Sequence, residues 1–159
     1  MRRIYTIVLV VLAICLPMTI QAKSEHLLPR PQKISLNEKA KPFKLGREVR
    51  ITDSKGVKAL RAFFEEHGCK TDSKAKATVT VTYTDAIEGA FDHKLAGYDN
   101  EAYTLEISTD AIEITAVSET GVIRAAQTLA QLAQGYKGKP KLEALTIIDW
   151  PAFKVRGYI

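Results

Sequence analysis

Residues 77–83 alternate without a break, with Val79, Val81 and Tyr83 pointing one way and threonines the other. A period of two held over that length is the pattern of a β-strand buried on one face only. Such a strand needs neighbours along its edges and a cover for its apolar side. Two further strands follow the same rule. Tyr103, Leu105 and Ile107 form one face of the first, and Ile112, Ile114 and Ala116 one face of the second. The tight Thr109 and Asp110 connection between them predicts a hairpin. Shorter strand candidates lie at 34–36, 43–45, 49–51 and 145–148, after a Pro-bounded extended entry at 27–31.

Two helices supply the cover. In the first, Val57, Leu60 and Phe64 share a face with Phe63 beside them, Asp53 or Ser54 is placed to cap the start, and Gly68 tolerates a left-handed stop. In the second, Val122, Ala126, Leu129 and Ala133 recur at helical spacing behind a Ser118 or Thr120 cap, with Glu119 at the positive end of the dipole and Gly135 beyond the end. Residues 87–100 carry glycines and little periodicity and read as a loop. The expected fold is α+β: a mixed, mainly antiparallel sheet with two helices packed on one face. Phe63, Phe64, Leu129 and Leu132 are core residues on this reading and carry no chemistry.

The chain is 159 residues long, room for one domain of ordinary size behind a leader. That leader is written at the N-terminus: Met1, Arg2 and Arg3, an apolar run through Ile14, then Pro17 and the small residue Ala22. This is the pattern of a cleavable secretory signal over residues 1–22, so the protein is expected to be exported, periplasmic or extracellular. An uncleaved anchor is the alternative, although the apolar stretch is at the short limit for a bilayer span, and no stable membrane span is expected. Cys15 only loosely resembles a lipidation site, because Ile14 stands where a small residue is wanted. Cleavage would remove Cys15 and leave Cys69 as the single thiol, which excludes an internal disulfide. Cys69 reads as a buried or idle thiol, with no His or Asp constellation beside it to make it a nucleophile.

Without the leader the 23 basic residues fall to 21 against 18 acids, a net of +3. Apart from Lys137, Lys139 and Lys141 in a Gly/Pro loop the bases are scattered, so no stripe follows a nucleic acid backbone. The histidines His26, His67 and His93 have no metal-ligand spacing, and no glycine run forms a phosphate cradle, so neither metal nor cofactor is implied. Glycosidic acid catalysis needs two converging carboxyl groups. Glu65 and Glu66 diverge on consecutive helix positions, Glu101 and Glu106 flank or join a sheet, and Asp149 precedes a turn. No catalytic residue is assigned.

The stretch Leu28, Pro29, Arg30, Pro31, Gln32, Lys33, Ile34 resembles the Pro-rich opening of the domain that precedes the barrel in glycoside hydrolase family 20, the β-N-acetylhexosaminidases. Residues 100–107, Gly121 and the run Gln127, Thr128, Leu129, Ala130, Gln131, Leu132 match as well. The most specific part is the end, Asp149, Trp150, Pro151, Ala152, Phe153, Lys154, Val155, Arg156, Gly157, Tyr158, which resembles the family's passage into the first barrel strand. The resemblance divides the chain into a signal peptide (1–22), an α+β front domain (23–148) and the entry and first strand of a catalytic (β/α)8 barrel (149–159) that the sequence does not contain.

That resemblance implies a parent enzyme that releases terminal β-linked N-acetylglucosamine or N-acetylgalactosamine from glycans, with the sugar's own acetamido oxygen as nucleophile. Its partners would be its own downstream barrel and an amino-sugar glycan. Arg156 matches the arginine that binds the terminal sugar's hydroxyls, a role for a planar fork of donors, but only inside a complete barrel. The family's adjacent Asp-Glu pair is absent from the sequence, so the chain alone is expected to be inactive. Two alternatives stand: the front domain of a family 84 N-acetylglucosaminidase, which also enters its barrel through Arg-Gly, and a stand-alone periplasmic module binding a glycan or a protein.

Overall fold

The structure, a computed structural model, describes residues 27–89, 99–134 and 140–152. The expected signal peptide, His26, His93, Gly135, Lys137, Lys139 and the part of the anticipated barrel entry and first strand beyond Ala152, with Arg156, lie outside the described residues.

The elements run β1 (Lys33–Leu36), β2 (Phe43–Lys44), β3 (Glu48–Ile51), α1 (Val57–Glu66), β4 (Lys70–Thr71), β5 (Ala77–Tyr83), a 3-10 turn (Asp99–Glu101), β6 (Tyr103–Ile107), β7 (Ala111–Ala116), α2 (Glu119–Ala133), β8 (Lys141–Leu142) and β9 (Leu145–Asp149). Among the described residues the main sheet has seven strands in the order β1-β9-β6-β7-β5-β3-β4, and β2 pairs with β8 separately. From β1 to β7 neighbours are antiparallel, from β7 to β4 they are parallel, and β2 with β8 is antiparallel. The mixed α+β architecture is therefore the expected one. The two-residue strands β4 and β8 were beyond periodicity, since two residues show no pattern.

Register explains the alternation. Val79 faces Ile112, Val81 faces Ile114, and Leu105 faces both Ile114 and Ile147, so the apolar residues of successive strands fall in rows on one side. These residues share one core with Leu60, Phe63 and Phe64 of α1 and Val122, Leu129 and Leu132 of α2. Phe64, Leu60, Leu105, Ile112, Ile114 and Leu129 are fully buried. Each such side chain contributes about 1.5–3 kcal/mol relative to exposure. The other side carries Thr78, Thr80, Thr104, Thr115 and Thr146, all half-buried, and the exposed Glu106 and Glu113.

The start of α1 differs from expectation. Its N-cap is Gly56 in the left-handed region (φ 72°), with no side-chain cap. Asp53 instead pairs with Arg61 at 3.5 Å, and the Ser54 hydroxyl donates to the Lys55 carbonyl. The physical reason is the sharp entry: the Val57 amide already bonds to the Ser54 carbonyl, and only glycine takes the positive φ without strain. The other end is as anticipated, with Gly68 at φ +71° and the Cys69 amide returning to the Phe64 carbonyl. In α2 the cap is Ser118, whose hydroxyl oxygen accepts from the Thr120 amide at 3.1 Å.

Gly121 is required by close approach. A Cβ there would lie 2.6 Å from the Ala102 carbonyl oxygen and 3.1 Å from the Ala116 Cβ. The first turn of α2 thus sits directly on the strand entering β6.

Candidate functional site

The Tyr103↔Asp149 register puts the start of β6 beside the end of β9, and α2 crosses next to them. A cleft of about 240 Å3 opens there, lined among others by Tyr103, Arg124, Gln127, Gln131, Asp149 and Trp150, with Pro29, Arg30 and Gln32 of the entry segment on its rim. The first and last described segments of the chain meet at this point.

Local bonding holds them together. The Gln131 side-chain amide donates to the Leu28 carbonyl at 3.0 Å, while its oxygen accepts from the Leu28 amide at 2.9 Å. The Gln32 amide donates to Asp149 Oδ1 at 3.2 Å, and its side chain donates to the Trp150 carbonyl at 3.4 Å. Lys33 donates to the Gly89 carbonyl at 2.6 Å and lies 5.7 Å from the Trp150 ring centroid, a cation–π contact. Ile148 and Trp150 pack in a small cluster with Ile87 and Ala102.

Tyr103 forms the floor. It is 1% exposed, and its hydroxyl lies 2.6 Å from Thr128 Oγ1. Burial pushes its phenol well above the usual range; the hydrogen bond shared with Thr128 works against that rise, and the Asp149 carboxylate adds to it. Tyr103 therefore stays neutral and serves as a fixed hydrogen-bonding group. Arg124 Nε donates to Glu101 Oε2 at 2.7 Å, and its Nη1 donates to Gln127 Oε1 at 3.0 Å.

Two of the carboxylates, Glu101 and Asp149, line this cleft, and each is engaged locally. Glu65 and Glu66 are exposed at the end of α1, Glu106 is exposed on the far side of the sheet, Glu101 is held by Arg124, and Asp149 holds the entry segment. Cys69 is buried and accepts a hydrogen bond from the Gly46 amide at 3.2 Å. His67 Nδ1 lies 2.7 Å from the Phe63 carbonyl, and its ring packs on Phe63. Both carboxylates of the cleft are taken up by local bonding, Glu101 to Arg124 and Asp149 to the Gln32 amide, and neither is presented as the free acid or base that hydrolysis needs.

Sequence reasoning missed the joint role of Asp149 and Tyr103. The one available signal was Asp149 itself, directly before Trp150-Pro151, where a side chain can bond to backbone across the turn.

The family model described as glycosyl hydrolase family 20, domain 2, matches residues 24–150. A β-hexosaminidase of Vibrio vulnificus is 29% identical over 139 residues, which is 86% of this chain and 15% of that protein. The chitobiase of Flavobacterium johnsoniae superposes with a TM-score of 0.58 at 25% identity over 85% of this chain and 22% of that one. The fold is wider than one family, since the protein CpGH84B superposes with a TM-score of 0.60 at 21% identity over 82% of this chain and 23% of that one. The sequence match over residues 24–150 distinguishes the two families and sets aside the family 84 alternative. This chain spans under a quarter of the length of each of these relatives, and the part it spans belongs to glycoside hydrolase family 20, as the family's domain 2.

Proposed function

We propose that this chain is the non-catalytic front domain of an exported β-N-acetylhexosaminidase, and that hydrolysis is carried by a barrel following it in the same polypeptide. The observation that carries the reading is the family match across residues 24–150, in a sequence that has no adjacent Asp-Glu pair. A domain whose polar side chains are spent on holding its own termini together acts as scaffold. The leader at 1–22 would direct export and be cleaved. In the complete enzyme Arg156 would bind hydroxyls of a terminal N-acetylglucosamine or N-acetylgalactosamine, its planar fork of donors matching adjacent oxygens. The sugar's acetamido oxygen would attack its own anomeric carbon as the glycosidic C–O bond breaks and the leaving oxygen takes a proton from a carboxylic acid of the barrel, and water would then open the intermediate with retention.

The test is an assay on a p-nitrophenyl N-acetyl-β-glucosaminide with two samples: the 159-residue chain and the complete product of its reading frame. Activity confined to the longer product is expected, together with its loss on Arg156→Ala. Turnover by the 159-residue chain, or none by a longer folded product, sinks the proposal.

A further inference from the structure

Folding gathers bases that the sequence scatters. Thr109, at the turn from β6 to β7, donates to the Lys41 carbonyl at 3.0 Å. Arg47 donates to the Thr109 carbonyl and to Asp110, which Lys76 also approaches at 3.3 Å. Lys44 lies three residues from both anchored positions, so its backbone is within about 11 Å of each. In the β2–β8 ribbon it stands directly opposite Lys141. Five bases thus surround one turn at spacings on the order of a Debye length, about 10 Å in ordinary salt, and act together on an approaching charge.

Arg47 and Lys76 share one acid, Asp110. Lys41, Lys44 and Lys141 are exposed, and no carboxylate among the described residues lies within ion-pair distance of them. The neighbouring acids lie to the sides: Glu48 is level with Lys70 across β3 and β4, and Glu38 and Glu143 line a recess beside Leu36. Like charges set directly opposite weaken a strand pair, so the lysines of this two-pair ribbon bring the fold no gain by their charge.

We propose that Lys41, Lys44 and Lys141, with Arg47 and Lys76 beside them, form a docking surface for an acidic polysaccharide, one that carries carboxylate or sulfate groups along its chain. The proposal rests on the reading of the protein as part of an exported glycosidase, since export brings polysaccharides rather than nucleic acids within reach. A lysine ammonium is a compact charge on a flexible stem and can follow anionic groups of varying spacing, where an arginine fork demands a fixed partner. The ring under Arg47, Phe43, is fully buried, so contact is made by charge and not by stacking on a base or a neutral sugar. A bilayer surface calls for an apolar wedge beside the charges. The exposed leucine at this end of the sheet, Leu36, lies instead among the acids of the recess.

The experiment measures binding of the complete polypeptide to immobilised chondroitin sulfate, a carboxylated and sulfated polysaccharide, over a range of salt. Two double substitutions of equal charge are compared: Lys44→Gln/Lys141→Gln in the ribbon, and Lys55→Gln/Lys58→Gln, also exposed, at the start of α1. The ribbon variant should bind at least about tenfold more weakly at low salt, and its slope of log Kd against log salt should fall by about 2, one for each ion contact removed. The α1 variant should stay within about twofold of the parent. No binding by the parent, or equal losses in both variants, overturns the proposal. Tighter binding to phosphatidylglycerol vesicles or to duplex DNA than to chondroitin sulfate overturns the polysaccharide as partner. Hydrolysis of the same p-nitrophenyl substrate, which both variants should retain, separates the two readings. An active enzyme whose binding is indifferent to Lys44 and Lys141 defeats the docking surface alone, whereas ribbon-dependent binding by a folded but inactive protein defeats the hexosaminidase assignment and keeps the surface.

Discussion

The two ends of the sheet are built differently. At the end where the polypeptide leaves, Tyr103, Thr128 and Asp149 meet over a buried floor, α2 rests on the Ala102 backbone through Gly121, and Ser118 closes the helix start. At the end where β6 turns into β7, the contacts are Arg47 to Asp110 at 2.9 Å and Lys76 to Asp110 at 3.3 Å, among side chains 30–87% exposed. One end adds close packing and a buried neutral hydrogen bond to an ion pair, Arg124 to Glu101, while the other rests on ion pairs at the surface. Buried groups left without partners cost the whole of their desolvation, while exposed ion pairs contribute little. The end that carries the chain onward should therefore tolerate change poorly and the hairpin end should tolerate it well.

The severest challenge to that contrast is Gly121→Ala. The added methyl group would meet the Ala102 carbonyl, which belongs to backbone and yields little. The expected loss is about 3 kcal/mol, the upper part of the range for overpacking, and each kcal/mol lowers Tm by roughly 4 °C in a domain of this size. A change below about 0.5 kcal/mol in urea unfolding would mean α2 is free to move off β6, and the comparison would fail at its strongest point.

Tyr103→Phe comes next. It strips Thr128 of its partner inside the core and leaves Asp149 without the phenol, for an expected loss of about 1–2 kcal/mol at neutral pH. The alkaline limb gives a second reading. Because the folded phenol's pKa is raised above the unfolded value of about 10, the wild-type protein has its full stability below that pH. It loses stability as pH climbs from there towards the folded pKa, since only the unfolded chain gives up the proton. Tyr103→Phe should remove this part of the alkaline decline, which unfolding curves taken on both sides of pH 10 would show. Smaller again is Ser118→Ala, which removes the cap on Thr120 and the hydroxyl that donates to the Asn100 carbonyl. About 1 kcal/mol is expected, and Ser118→Thr should recover most of it.

The two ends also differed in how far they could be read beforehand. The alternation of 77–83, 103–107 and 112–116 revealed three strands, the turn at Thr109-Asp110 revealed their hairpin, and the spacing of Val122, Ala126, Leu129 and Ala133 revealed α2. Each of those signals is local, a period or a turn carried by neighbours in the chain. Strand order was not legible, because β5 pairs with β7 and β3 in parallel across long connections and no period records a partner. The cleft was hidden for the same reason. Tyr103 counts in sequence as one more apolar residue of an alternating face, and only the packing of α2 brings Thr128 to its hydroxyl. Gly56 escaped as a cap because Asp53 and Ser54, better capping residues, stand just ahead of it, and the sharp turn into α1 chose conformation over side-chain chemistry.

The weakest expected effect tests the contrast from its tolerant side. Asp110 accepts from Arg47 and pairs with Lys76, and these hydrogen bonds hold its carboxyl below the usual carboxylate range. A depressed folded pKa adds stability that is present above the unfolded value, about pH 4, and lost as pH falls through the folded one. Asp110→Asn should therefore change little at neutral pH, where the exposed pair is screened, and should flatten the decline in stability on acidification below that value. Added salt should shrink the neutral-pH difference further, because Arg47 and Lys76 approach Asp110 at the surface. A loss at neutral pH as large as that of Tyr103→Phe would show that Arg47, which also stacks at 4.4 Å over the Phe43 ring, is locked in place by Asp110. In that event the hairpin end would be as tightly specified as the end that carries the chain onward.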